Sequence, residues 1–310
     1  MKKKIYFCRK FPEIARKILE EKFDIDENKN DQILSKEFLA EIAQNYDGVI
    51  TTLSDNFDSQ VLSFTSRLQV ISNYAVGLDN IDQNFAKSKN IKVYNLPDIV
   101  THSTADLTFA LFLSFVRQIP NAQKYVKDNL WKKIDINLFL GNELFGKTFG
   151  IIGFGRIGME VAKRAQAFGM KILAFRRNDY DIPDSLKDSL KKASFEEILE
   201  KSDYISIHTP LTDETRGMID MFAFEKMKET CVLINTSRGS VINTEDLLTA
   251  LKEKKIKAAL LDVVDPEPIN NNPLLDLDNC YILPHIGTAT VECRENMAKK
   301  AAENILDFFN

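Results

Sequence analysis

The sequence has 310 residues, too many for one ordinary domain and enough for two with sizeable cores. Its 44% hydrophobic and 28% charged residues are ordinary for a soluble globular protein, and a formal net charge of −4 leaves no basic footprint for nucleic acid. The four cysteines, Cys8, Cys231, Cys280 and Cys293, form no CxxC pair, and the three histidines sit in no Cys/His cluster, so no structural metal is expected. This cysteine usage fits a reducing, cytoplasmic setting. No apolar run approaches a membrane span, and the one after the N-terminal lysines is too short for a signal peptide.

Short apolar runs alternate with helical patterns from the start. Residues 5–7, 47–52, 68–75 and 91–96 read as strands, with helices over 14–23, 36–44 and 57–64 between them. A long helix is expected over 101–126, bridging to a second series. Its strands are 148–153, 171–175, 203–208, 231–236, 257–263 and 280–285, its helices 156–169, 195–201, 222–227 and 244–255, and a last helix covers 291–309. Strand–helix–strand alternation implies parallel sheets covered on both faces, so the fold class is α/β with two βα domains. The last helix is expected to return to the first domain.

The string Gly153-Phe154-Gly155-Arg156-Ile157-Gly158 follows an apolar strand and opens a helix. That context turns a weak GxGxxG motif into a dinucleotide-binding loop. Gly153 permits the tight turn, Gly155 lets the backbone approach a pyrophosphate, and Gly158 lets helix and strand pack closely. The helix N-terminus offers free N–H groups to the anion.

The next strand ends in LAFRRN, residues 173–178. About 20 residues after the loop, an acidic side chain usually accepts hydrogen bonds from the ribose 2′-hydroxyl. Arg176 stands there instead. Arginine cannot accept those bonds but pairs bidentately with a 2′-phosphate. Arg176, with Arg177 as a supporting charge, therefore favours NADP(H), with NAD(H) still open. The alternative is a solvated turn whose arginines pair with Asp179 or Asp181.

Arg238, Glu267 and His285 each lie just beyond a strand's C-terminal end, where open α/β sheets hold ligands. Singly, each has a bland reading: a helix cap, a solvated loop residue, a buried histidine. Together, downstream of a dinucleotide loop, they fit hydride transfer to a 2-oxo acid. Arginine is a fixed partner for the carboxylate and carbonyl oxygen, histidine gives and takes the proton near neutrality, and Glu267 would orient His285.

The ordered blocks NYAVGLDNID, NLPDIVTHSTADLTFALFL, GNELFGKTFGIIGFGRIG, HTPLTDETRGMI, LINTSRGSVI, ALLDVVDPEP and LPHIGTAT resemble the D-isomer-specific 2-hydroxyacid dehydrogenase family over nearly the whole sequence. The resemblance implies two Rossmann-like domains with the active site in the cleft between them, a substrate domain of 1–97 plus 287–310, and a dinucleotide domain of 98–286. It implies Arg238, Glu267 and His285 as catalytic residues with His285 as proton donor, and Val76 and Gly77 as backbone contacts of the substrate carboxylate. As cofactor contacts it points to Thr104, Arg156, Ile157, Thr236, Ser237, Asp262 and Gly287. His208, Thr209 and Pro210 are expected to line the adenine side. A homodimer is implied as well.

Within that family, HIGTAT and TTLSDNFD are similar to glyoxylate/hydroxypyruvate reductases, which would place Leu53 and Ser54 toward a small 2-oxo acid substrate. Phosphoglycerate dehydrogenases often add a C-terminal regulatory domain, not expected for a sequence ending at Asn310. Val264 departs from the pattern, because an aromatic residue is common there. The alternatives are an NAD-dependent D-lactate-type or phosphoglycerate-type dehydrogenase. Less favoured is a dinucleotide-sensing corepressor-like protein, for which extra docking segments would be expected. His102 and Trp131 receive no chemical role.

Overall fold

The computed structural model describes residues 2–310. The chain divides into two compact units, Met1–Val100 together with Thr288–Asn310, and Thr101–Gly287. The first is built on strands β1 (Lys3–Phe7), β2 (Phe23–Glu27), β3 (Gly48–Thr51), β4 (Val70–Asn73) and β5 (Lys92–Tyr94). They form one parallel sheet in the order β2-β1-β3-β4-β5. Helices α1 (Glu13–Leu19), α2 (Lys36–Asn45), α3 (Ser59–Ser63) and α4 (Gln83–Ser88) make the crossovers.

The central strands β3 and β4 are buried at every residue, as a sheet covered on both faces requires. Helix α11 (Val291–Phe309) belongs to this unit. The Tyr74 hydroxyl donates to the Arg294 carbonyl at 2.6 Å, and the Phe309 ring lies 5.6 Å from that of Phe23. Gly48 makes room for side chains of the flanking strands, since a Cβ there would stand 2.9 Å from those of both Ile5 and Val70, while Ile305 of the helix would be at ordinary contact, 3.5 Å.

The structure departs from the sequence reading in three places here. The helix expected over 14–23 ends at Leu19, and Phe23 opens β2. β2 is an edge strand with Asp24, Asp26 and Glu27 among its five residues, so its hydrogen bonds to β1, not its composition, make it a strand. The short helix α4 is set by its cap, the Asp82 carboxylate accepting from the Phe85 N–H at 2.9 Å.

The second unit holds β6 (Thr148–Ile152), β7 (Lys171–Phe175), β8 (Leu190–Lys192), β9 (Tyr204–Ile207), β10 (Val232–Asn235), β11 (Ala258–Leu261) and β12 (Cys280–Ile282). They form a parallel seven-stranded sheet in the order β12-β11-β10-β9-β6-β7-β8. Helices α5 (Thr101–Val116) and α7 (Arg156–Ala167) cover one face, and α8 (Phe195–Lys201), α9 (Met221–Lys226) and α10 (Thr244–Lys252) the other. Successive β6 side chains part accordingly: Phe149 and Ile151 join the first core, Ile152 the second. Full burial of each such side chain is worth about 1.5–3 kcal/mol. The edge strand β8, LKK, was not evident from sequence.

The helix expected over 101–126 is two helices, α5 and α6 (Ile119–Lys127). Gln118 between them is left-handed with φ 51°. Pro120 explains the break, since inside one continuous helix its ring would clash with the Val116 carbonyl. Both sheets are parallel α/β layers, and the two units are Rossmann-like domains.

Candidate active site

In the second sheet the strand order reverses between β6 and β9, the place where such sheets open a crevice at their carboxyl ends. The glycine loop leaves β6 there. Gly153 has φ +101°, and a Cβ on it would stand 2.6 Å from the His208 carbonyl carbon, so only glycine fits beside β9. A Cβ on Gly158 would lie 2.4 Å from the Gly153 carbonyl, which is close helix–strand packing. Gly155 differs: a Cβ there meets nothing within 4 Å. Neither a strained φ nor crowding by the protein calls for glycine at that position, whereas an approaching ligand would. Gly155 is also the N-cap of α7 and supplies no side-chain bond to the first turn of the helix, where N–H groups that lack an intrahelical acceptor suit an anion. The loop fits a dinucleotide.

Beyond β7, Arg176 and Arg177 are exposed. The nearby aspartates do not hold them: Asp179 pairs with Lys192 at 2.6 Å. Arg177 pairs with Glu214, a solvent-exposed contact of the kind worth 0–1 kcal/mol. Among the described residues Arg176 makes no ion pair. At the end of β9, His208 Nε2 lies 2.8 Å from Ser206 Oγ, while the buried His208 Nδ1 and Thr209 Oγ1 have no partner among the described residues. Burial pushes the imidazole down to about 3, so it is neutral. His102 lies on the surface, 3.4 Å from Glu160.

The Arg238 loop follows β10, the Glu267 loop follows β11, and His285 follows β12. Asn235, fully buried at the end of β10, clamps the first of these. Its Nδ2 donates to the Arg238 carbonyl at 2.9 Å, and its Oδ1 accepts from the Ser237 N–H and hydroxyl at 3.0 and 2.8 Å. Gly239 lets this loop lie on the next one, because a Cβ there would stand 2.0 Å from the Val264 carbonyl. Thr236 is joined to α5 through Thr108, hydroxyl to hydroxyl, at 3.0 Å.

Glu267 bridges two partners. Its Oε2 lies 2.8 Å from His285 Nδ1, and its Oε1 accepts from the Val264 N–H at 3.0 Å. Burial alone would raise this carboxyl. The bonds from His285 and Val264, with the Arg238 charge, outweigh it and hold the group below the usual carboxylate range. Asp262 is buried and raised by that burial, against two backbone bonds: Oδ1 accepts from Ile286 at 2.7 Å and Oδ2 from Gly287 at 2.8 Å. Asp262 thereby shapes the turn that presents His285, a left-handed residue with φ 54°. Thr104 is buried nearby, and Ser103 Oγ donates to the Gly287 carbonyl at 2.9 Å.

In the first unit the loop after β4 ties its carbonyls to asparagines. Asn95 donates to Val76 and Asn73 to Gly77, at 2.7 and 2.8 Å. The N–H groups of Val76 and Gly77 have no acceptor among the described residues. Leu53 is half-buried and Ser54 exposed in the loop after β3.

The profile of the D-isomer specific 2-hydroxyacid dehydrogenase NAD binding domain matches residues 109–287. The glyoxylate reductase of Pyrococcus furiosus is 40% identical, over 99% of this chain and 93% of its own length. That of Thermococcus litoralis is 42% identical, over 99% and 94%. The chain belongs to the D-isomer-specific 2-hydroxyacid dehydrogenase family. Among solved members, the NADPH-dependent glyoxylate/hydroxypyruvate reductase of Sinorhizobium meliloti, in complex with NADP and malonate, is similar at 26% identity and TM-score 0.89, over 100% of this chain and 94% of that one.

In this dehydrogenase the charged residues of the candidate site are legible in the sequence, whereas those that hold their loops are not: Asn235, Gly239 and the backbone-binding role of Asp262. Asn235 carried a signal, being a polar residue closing the apolar run VLIN. Among the described residues no helix is long and apolar enough to cross a membrane, and no group of three or more His, Cys, Asp or Glu is placed to hold a metal ion.

Proposed function

We propose that this dehydrogenase reduces small 2-oxo acids, glyoxylate and hydroxypyruvate first, with preference for NADPH. The observation that carries the reading is the His285–Glu267 hydrogen bond, with Arg238 close enough to help lower the Glu267 carboxyl. Nδ1 is taken by Glu267, so Nε2 of His285 is the atom left to give its proton to the carbonyl oxygen. Glu267 fixes the ring and stabilises the imidazolium. Arg238 attracts the carboxylate and the developing charge on the carbonyl oxygen. The unclaimed N–H groups of Val76 and Gly77 receive the substrate carboxylate, with Leu53 and Ser54 as further contacts.

The dinucleotide would be held by Gly153, Gly155, Arg156, Ile157 and Gly158 at its pyrophosphate, by Arg176 at a 2′-phosphate with Arg177 supporting, and by His208, Thr209 and Pro210 at the adenine side. Thr104, Thr236, Ser237, Asp262 and Gly287 remain its contacts toward the reacting end. When bound, the nicotinamide supplies the hydride. The names of the archaeal relatives support the substrate, and the NADP complex of the Sinorhizobium meliloti protein supports the cofactor. A homodimer is supported by the exposed apolar band of Trp131, Ile134, Ile136, Leu140 and Phe145, 60–86% accessible, more than a monomer usually leaves in one stretch.

A panel of 2-oxo acids assayed with NADPH and with NADH tests the reading. The expected result is highest catalytic efficiency with glyoxylate or hydroxypyruvate and NADPH. Higher efficiency with NADH contradicts the cofactor assignment, and turnover confined to bulkier 2-oxo acids contradicts the substrate assignment.

A further inference from the structure

At the C-terminal ends of β1 and β3, where the order of the first sheet reverses, four side chains form a hydrogen-bonded chain from Arg9 to Asp55, its two ends joined by an ion pair. Arg9 Nη1 donates to the Cys8 and Gln32 carbonyls at 2.7 and 2.9 Å and lies 3.1 Å from Asp55 Oδ1, an oxygen that accepts no hydrogen bond among the described residues. Arg9 Nη2 donates to Ser54 Oγ at 3.1 Å. Ser54 Oγ and Thr52 Oγ1 are 3.1 Å apart, and Thr52 Oγ1 is 2.8 Å from Asp55 Oδ2. Asp55 is fully buried, and its Oδ2 also accepts from the Thr52 N–H at 2.9 Å and the Thr51 hydroxyl at 3.2 Å.

The two charged ends fix the direction of each proton between them. A guanidinium only donates and a carboxylate only accepts. The single hydroxyl proton of Thr52 is therefore committed to Asp55, and Thr52 must accept from Ser54. Ser54 then has its own proton committed to Thr52 and one lone pair committed to Arg9. What remains on this exposed hydroxyl is its second lone pair. Ser54 meets a ligand as an acceptor, not as a donor, and a chain of hydrogen bonds polarised in one sense strengthens that bias.

We propose that Ser54 Oγ is a specificity-determining acceptor for a hydroxyl on C3 of the substrate, so that the enzyme favours 3-hydroxy-2-oxo acids over the same acids lacking that hydroxyl. The proposal rests on the reading that the loop after β3 faces the 2-oxo acid. Thr52 and Arg9 act through Ser54 and are positioning residues. The same loop is also fixed to the Val76–Gly77 segment. Asn80 donates to the carbonyls of Thr52 and Asp55 at 2.9 and 3.0 Å, and Asn73, which holds the Gly77 carbonyl, donates to Asn80 Oδ1 at 3.1 Å. Acceptor and carboxylate-binding amides thus belong to one rigid assembly.

Hydroxypyruvate and pyruvate differ by the hydroxyl in question, so their ratio of kcat/KM, measured on the full chain with NADPH, reads the proposal directly. The wild type is expected to favour hydroxypyruvate. Ser54→Ala should reduce that ratio roughly tenfold, the upper end for one neutral hydrogen bond, and Ser54→Thr should keep it. Thr52→Val frees the Ser54 proton but leaves its accepting lone pair, so the ratio should fall by less than in Ser54→Ala, a graded change that loss of structure alone would not produce between two substrates of nearly equal size. A ratio unchanged in Ser54→Ala, or equal losses with both substrates, overturns the proposal while leaving the function standing. Turnover of no 2-oxo acid overturns the function and this inference with it.

Discussion

His285 Nδ1 stands 2.8 Å from Glu267 Oε2, and the other Glu267 oxygen is held by the Val264 N–H at 3.0 Å. The carboxylate is anchored at one end and orients the imidazole with the other. Replacing Glu267 by Gln keeps the shape but removes the charge that stabilises the imidazolium. We expect kcat/KM for glyoxylate to fall about 100-fold, within the range for a positioned acid–base pair. Steady-state kinetics check this, and a loss below a few-fold would speak against the pairing as the source of the chemistry.

Arg176 is exposed and makes no ion pair among the described residues, whereas Arg177 has Glu214. Arg176→Asp removes the proposed partner of a 2′-phosphate and supplies a carboxylate that can accept from a ribose 2′-hydroxyl. The NADPH-to-NADH ratio of kcat/KM should drop at least 10-fold, because a hydrogen bond to a charged group is worth about 1.5–3 kcal/mol. Arg177→Ala should move the ratio only a few-fold. Equal effects of the two substitutions would contradict the division of labour.

The glycines predict a contrast between stability and binding. Gly155→Ala places a Cβ in open space, so the melting temperature should hold while NADPH affinity falls. Gly239→Ala drives a Cβ into the Val264 backbone at 2.0 Å. It should lower stability by about 1–3 kcal/mol, the usual range for overpacking. Calorimetry and a cofactor-binding titration separate the two cases, and an intact cofactor affinity in Gly155→Ala would remove the argument from the open cradle.

Burial lowers His208 from its ordinary 6.5 to about 3. The unfolded chain therefore takes up a proton below pH 6.5 that the folded chain refuses until about pH 3. The contribution of this group is full above the ordinary value and is lost as pH falls toward the lowered one, with a slope approaching ~1.4 kcal/mol per pH unit. Denaturant unfolding between pH 7 and 5 should show a shallower pH slope in His208→Gln than in the wild type. Identical slopes would mean that the ring is not kept neutral by burial.

What the sequence made legible was local. GIIGFGRIG carries strand, glycine spacing and helix in one stretch, and Arg176 is then located by counting along a single strand. The candidate catalytic residues are legible because Arg238, Glu267 and His285 each follow a strongly apolar strand. β2 and β8 were not legible, because edge strands such as FDIDE and LKK draw their hydrogen bonds from one neighbour and need little apolar alternation. The split of the 101–126 helix was signalled by Pro120, outweighed by the apolar run before it. The hydrogen-bonded chain of Arg9, Thr52, Ser54 and Asp55 had no sequence signature at all. Its members come from two segments, and only the pairing of β1 with β3 brings the two strand ends together.

The role of His285 as proton donor is tested most directly by His285→Gln, assayed for glyoxylate reduction with NADPH alongside NADPH binding followed by fluorescence. A loss in kcat of about 10³-fold or more is expected, within the range for general acid–base catalysis, with the dissociation constant for NADPH changed by less than a few-fold. A variant that turns over at near wild-type rate would contradict that role.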